Sequence, residues 1–329
     1  KEGTKLTDES GAVYVLKELL GSGGEGDVYV IDDNHVAKIY HTDSLTKNRY
    51  EKLQLMVKNN PHIEKLCWPE KLLYNNHKQF AGYIMARVPE NFKPVGRSVL
   101  KLGNPAKTVK DLAETKGMKG LDKWNRKSLV SLCRSISQVF IKLHSKNIRM
   151  GDVNINNFLV NTANTNGGDF KIVDCDSFQV GSYPCPVGVD IFTSPEIYKR
   201  TGTDHPQFGM FLRTKEDDQY SLASMLFHIL MFGQQPYAGK GEDTEESVAR
   251  RSYNFPYRSD FETGTDAPEG CYALIWDNTP KTVREKFVTI FKGVGTVSAE
   301  EWVNAFKEYN MQIDNKLATD ELMPRKYRE

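Results

Sequence analysis

The apolar residues of this 329-residue chain change their period once, near residue 90. Up to that point they come in runs of strand length: Ala12 to Leu20 and Asp27 to Asp32 flank a glycine cluster, Asn34 to Tyr40 follows, and Phe80 to Val88 is a further run. One helix interrupts them, with Thr42, Asp43 or Ser44 as its cap and Tyr50, Leu53, Leu55 and Met56 at helical spacing up to about Lys58. Later the period is helical. Leu129, Leu132, Cys133, Ile136, Phe140 and Leu143 form one stripe and predict a helix from about Arg126 to Lys146. Two short strands bracket the turn Asn166-Gly167-Gly168. Asp218 to Phe232 is apolar on most faces and so belongs inside, Val283 to Lys292 is amphipathic, and Ser298-Ala299-Glu300-Glu301 is a capping box opening a last helix. Phe92 to Asp122, with its prolines, glycines and lysines, reads as a linker or irregular loop. This is an α+β pattern of two unlike units, and the length agrees with roughly 150 residues per unit.

Composition narrows what such a molecule can do. With 44 basic and 43 acidic residues the net charge is +1, which gives no strong field for a nucleic acid or an anionic membrane. The five cysteines, Cys67, Cys133, Cys175, Cys185 and Cys271, are odd in number and lack C-x-x-C spacing. They point to a reducing compartment without structural zinc, so the expected location is the cytoplasm. No apolar run approaches the roughly 20 residues of a membrane helix, and Lys1-Glu2-Gly3-Thr4 shows no apolar signal-peptide core.

Five places carry chemistry. Gly21-Ser22-Gly23-Gly24-Glu25-Gly26, followed by Val28, lies between two predicted strands, where glycines let backbone amides approach phosphate oxygens. Alone this is also what any glycine-rich hairpin looks like, and the strand after it argues against a dinucleotide fold. Val36-Ala37-Lys38 on the next strand brings an ammonium within reach of those phosphates. Met150-Gly151-Asp152-Val153-Asn154-Ile155-Asn156-Asn157 supplies a carboxylate able to take a hydroxyl proton and an amide oxygen suited to a hard cation. Lys171-Ile172-Val173-Asp174-Cys175-Asp176 ends a strand in two more carboxylates. Ser194-Pro195-Glu196, Asp218-Gln219-Tyr220-Ser221-Leu222-Ala223 and Gln235-Pro236-Tyr237 follow in that order.

Taken in sequence, from about residue 20 to 237, these segments resemble the protein kinase superfamily: its glycine-rich loop, strand lysine, H-R-D-x-x-x-x-N, D-F-G, A-P-E and D-x-W-x-x-G. The resemblance implies a bilobal fold, with a small antiparallel-sheet lobe carrying one helix over residues 1–90, a mainly helical lobe over 91–310, and a charged tail or linker over 311–329. It implies ATP in the cleft between the lobes. Gly21, Gly23, Gly24 and Gly26 would cover the phosphates, Val28, Ala37 and Leu159 would enclose the adenine, Met85 would stand behind it, and the Ala86 and Val88 backbones would face its edge. Lys38 would hold phosphates and pair with Glu51, Asp152 would orient the acceptor hydroxyl, and Asn157 and Asp174 would bind Mg²⁺, with Asp176 the alternative to Asp174. The implied activity is Mg-ATP-dependent phosphorylation of serine or threonine in a protein substrate. The chain resembles divergent bacterial kinases, some of them encoded in tellurium-resistance-type gene clusters. That similarity implies a metal-dependent phosphatase and a von Willebrand A-domain protein as partners, and helix-hairpin-helix domains C-terminal to some such kinases.

The departures from the family pattern matter equally. Gly151 replaces the arginine that pairs with a phosphorylated activation segment, so the expected state is competence without phosphorylation. Asn154 replaces a lysine on the γ-phosphate, which favours a slow enzyme or a pseudokinase scaffold. Met150 and Cys175 replace a histidine and a phenylalanine, leaving an apolar spine of Leu55, Cys175 and Met150, with Cys175 also a thiol near the nucleotide. Arg284 is a candidate substitute partner for Glu196, whose partner the sequence leaves open. Gly151-Asp152 also resembles the H-G-D of aminoglycoside and choline kinases, which keeps small-molecule phosphotransfer as a rival.

Overall fold

A computed structural model describes residues 1–99, 124–239, 246–260, 267–268, 272–322 and 324. Seven strands, β1 (Lys5–Thr7), β2 (Val13–Val15), β3 (Leu19–Ser22), β4 (Gly26–Val30), β5 (His35–Tyr40), β6 (Lys71–Tyr74) and β7 (Phe80–Ala86), form one sheet in the order β2-β1-β6-β7-β5-β4-β3. Its named strand pairs are antiparallel. The register sorts the side chains by parity. Val28, Lys38 and Tyr83 pair across β4, β5 and β7, as do Tyr29, Ala37 and Ile84 one residue along, on the opposite face. The second set packs with Leu6, Leu16, Ile31 and Leu73 in a small core of its own. The first set faces the large core shared with the helices, which takes in Val36, Tyr40, Tyr83 and Met85.

Helix α1 (Lys47–Lys58) crosses that face, capped by the Thr46 hydroxyl accepting from the Arg49 amide. Its buried residues are Lys52, Leu53 and Met56. Just after it, Leu66 bridges to Ile172, the Cys67 amide donates to the Ile172 carbonyl at 2.8 Å, and the Trp68 indole donates to the Met56 carbonyl at 2.9 Å. The small lobe is thereby tied to a strand of the large one.

The helical lobe contains α2 (Arg126–Ser145), α3 (Pro195–Thr201), α4 (Lys215–Leu230), α5 (Glu246–Arg251), α6 (Tyr272–Asp277), α7 (Lys281–Phe291) and α8 (Ala299–Asp314). α4 is buried along almost its whole length, as an apolar-all-round sequence requires. Its Phe227 meets Phe255, Tyr257, Trp276, Phe287 and Phe291 in one aromatic cluster. The capping box at Ser298 and Glu301 forms as read. A second, three-stranded sheet joins β8 (Phe92–Pro94), β9 (Phe158–Asn161) and β10 (Phe170–Ile172). Phe92, expected to open a linker, is thus in a strand; residues 100–123 lie outside those described. The stretch from 311 begins inside α8, and Asp320 and Leu322 accept from Arg126 at the start of α2. The architecture is α+β and bilobal, as expected. Among the described residues no helix is long and apolar enough to cross a membrane.

Candidate active site

The glycine cluster forms the turn between β3 and β4, closed by the Gly23 amide on the Gly26 carbonyl at 2.9 Å. Gly26 is required sterically: a Cβ there would collide with the Ile39 carbonyl of β5. Gly21, Gly23 and Gly24 leave the turn exposed and open to a ligand. Lys38, on the β5 face turned to the large lobe, is only 8% exposed.

Its partner is not the one expected. The Lys38 ammonium donates to Asp176 at 2.9 and 3.0 Å and to Asp174 at 3.4 Å, whereas Glu51 accepts from the Tyr183 hydroxyl at 3.2 Å and pairs with Lys47 at 3.6 Å. The reason is helical phase. The inward row of α1 is Lys52 and Met56, four apart, so Glu51 and Leu55 sit about 100° round from it. The spine expectation shifts likewise: Met56, Met150 and Cys175 are fully buried, and Leu55 is half-buried beside Gly181. Burial pushes the Cys175 thiol well up, which keeps it a neutral core residue and not a reactive one.

Asp176 is saturated by donors. Besides Lys38 it accepts from the Tyr40 hydroxyl at 2.6 Å and the Tyr83 hydroxyl at 2.9 Å. Burial opposes its ionisation, but Lys38 and these donors prevail and hold its pKa down to about 2. Asp174 differs. Its backbone is left-handed, φ 56°, and its side chain is 48% exposed to the cleft.

The loop bearing Asp152 is held from below. Asp218 on α4 accepts the Met150 amide at 3.1 Å and the Gly151 amide at 2.9 Å, and contacts His144 Nε2 of α2 at 2.9 Å. Asn157 donates its Nδ2 to Asp152 Oδ2 at 3.1 Å, which leaves its Oδ1 as an acceptor. Burial raises the Asp152 carboxyl, the Asn157 bond works against that, and nearby Asp174 adds to it. Asn154 Oδ1 accepts the Asn156 amide at 2.9 Å, so this side chain stiffens the loop.

On the adenine side the strand register corrects one residue. Ala37 is fully buried in the outer small core, and Val36, two before Lys38 and paired with Met85, faces the cleft side with Val28. Met85 is buried, Ala86 closes β7 opposite His35, Val88 packs on the large core, and Leu159 is half-buried on β9. Glu196 accepts from Lys199 and from the Tyr253 hydroxyl at 2.7 Å, not from Arg284, which donates to the Asp260 carbonyl. Between the glycine turn, the start of α1 and residues 177–187 lies a cavity of about 520 Å³ that reaches Asp176, Lys52 and Arg49. The sequence reading passed over Tyr40, Tyr83, Lys52 and His144. Of these, only the inward phase of Lys52 carried a local signal, through Met56 one turn on.

No model of a known protein family matches the chain. Among curated proteins it is 29% identical to Protein kinase YegI of Escherichia coli strain K12 over 335 residues, covering 95% of this chain and 47% of that protein. It is likewise 29% identical to Protein kinase YegI of Escherichia coli O157:H7 over 316 residues, covering 89% of this chain and 44% of that one. The chain therefore spans less than half the length of these relatives. A sheet lobe with a helical lobe and a strand lysine that meets carboxylates across the cleft accompany this similarity to bacterial proteins named as protein kinases.

Proposed function

We propose that this chain is a kinase domain that transfers the γ-phosphoryl group of Mg-ATP to a serine or threonine hydroxyl of a protein. The observation that carries this reading is convergence on one cleft: Lys38 from the sheet lobe meets Asp174 and Asp176, beside the bonded pair Asp152 and Asn157. Asp152 would hold the acceptor hydroxyl and take its proton as that oxygen bonds to phosphorus and the bond from the γ-phosphorus to the bridging oxygen of ADP breaks. Asp174 and Asn157 would hold Mg²⁺; a half-exposed carboxylate and a spare amide oxygen suit a hard cation that keeps several waters. When bound, the ion supplies neutralisation of charge on the phosphate oxygens. Serine or threonine specificity and a cytoplasmic setting rest on the resemblance and on four described cysteines that are all free and buried. On the same ground, a phosphatase and a von Willebrand A-domain protein are the first partners to try.

One observation favours a pseudokinase scaffold as a second reading: Asn154 brings no charge to the γ-phosphate, a loss on the order of 2 to 4 kcal/mol in the transition state. Incubation with Mg²⁺, labelled ATP and a generic acceptor protein separates the two. Transfer abolished by Asp152→Ala supports the kinase. Tight ATP binding with no transfer, autophosphorylation included, supports the scaffold, and label on small hydroxylated acceptors instead supports small-molecule phosphotransfer.

A further inference from the structure

Two buried cations lie outside the phosphate-binding residues, and both direct their donors at the main chain of one segment, residues 177–187. Lys52, on α1 and 6% exposed, donates to the Ser177 carbonyl at 3.0 Å and the Pro184 carbonyl at 3.4 Å. Arg213, in the helical lobe and 5% exposed, donates to the Cys185 carbonyl at 2.9 Å and the Val187 carbonyl at 2.6 Å. Among the described residues neither forms an ion pair. Carboxylates act on them only from beyond ion-pair distance, Asp176 and Glu25 on Lys52 and Asp152 on Arg213, and burial lowers the Lys52 ammonium, so the carbonyls stand in for the water each cation gave up. The dependence is mutual: moving the segment strands both charges.

Gly151 explains why the guanidinium comes from residue 213. Its φ is +69°, and a Cβ there would lie 2.6 Å from Cys185 Cβ and 3.0 Å from Arg213 Nη1. Arg213 thus fills the space into which a side chain at 151 would project, and it points at carbonyls. It is itself fixed. Its guanidinium lies 4.5 Å from the Phe208 ring centre, and its main chain exchanges bonds of 2.7 and 2.9 Å with the Gln179 amide. The Gln179 backbone in turn pairs with Arg149, two residues before Gly151.

We infer that Lys52 and Arg213 are positioning residues that hold segment 177–187 in its working shape beside Asp152 with no phosphate on it. The inference rests on the kinase reading above. Its test compares phosphatase-treated wild type, a Ser182→Ala/Tyr183→Phe double variant, Lys52→Met, Arg213→Met and Arg213→Lys, measuring phosphate transfer and hydrogen exchange at amides 178–188. Treated wild type and the Ser182→Ala/Tyr183→Phe variant should keep their rate within about twofold, as surface changes do. Each methionine variant should lose on the order of 100-fold in kcat, the cost of a misplaced reacting group, with KM for ATP nearly constant. Their segment amides should also exchange faster. Arg213→Lys, which keeps the charge without the fork and preserves folding, should recover part of both. Methionine variants with wild-type rate and exchange overturn the inference, as does a treated wild type that regains activity only on phosphorylation. If wild type transfers no phosphate, the kinase reading fails and exchange alone decides the clamp: faster in Arg213→Met supports it, unchanged overturns it.

Discussion

Asp174→Asn and Asp176→Asn should have opposite signatures, although the two residues are two apart and both face Lys38. Asp176 accepts from Lys38, Tyr40 and Tyr83 and is 8% exposed. Asparagine in its place keeps one acceptor oxygen, removes the charge and turns an NH₂ group toward a buried ammonium. Breaking one side of a buried pair costs roughly 3 to 5 kcal/mol. Asp174 stays 3.4 Å from the ammonium and offsets part of this, which places the loss near the low end, about 3 kcal/mol. With an unfolding entropy of about 2.1 cal/mol/K per residue, Tm should fall by about 4 °C. Asp174→Asn acts on a half-exposed group and should cost less than about 1 kcal/mol while removing Mg²⁺-dependent nucleotide binding. Thermal melts and Mg-ATP titrations of both variants measure this. A larger melting shift in Asp174→Asn, or an Asp176→Asn melt within a degree of wild type, refutes the assignment. The pH dependence follows. Because the folded pKa of Asp176 is depressed to about 2 from 3.8, its contribution is full above about pH 4 and is lost as pH falls toward 2. Urea midpoints of Asp176→Asn should be flatter over that window.

Glu51→Ala should change kcat/KM by less than about threefold in a phosphate-transfer assay, since its partners are Tyr183 and an exposed Lys47. Asp218→Ala strands two loop amides and the buried His144, and should cost about 4 kcal/mol in urea unfolding while lowering activity through the loop.

The order of motifs read from the sequence placed the glycine turn, Lys38, Asp152, Asn157, Asp174 and Asp218 around one cleft, because each lies within a short local pattern. What failed was phase. Ala37 and Glu51 are each one residue from the position that faces the cleft, and the cure was local: side chains alternate along a strand, so Val36 shares the face of Lys38, and Met56 marks Lys52. The counter-ion itself was not legible. Tyr40 and Tyr83 reach Asp176 across 136 and 93 residues of sequence, and no local pattern announces a contact at that range. Arg213 is of the same kind: its role appears only when Gly151 and Cys185 are seen to leave it the space.

Trp68 gives the molecule an optical handle. Its indole bonds to the α1 backbone at Met56, and its ring meets Phe178 edge-on at 6.1 Å, at the head of the clamped segment. Helix, indole and segment are therefore bolted into a single body with β10, through Leu66 and Cys67. Release of the segment should separate Phe178 from the Trp68 ring, which is only 4% exposed, and shift its emission to the red.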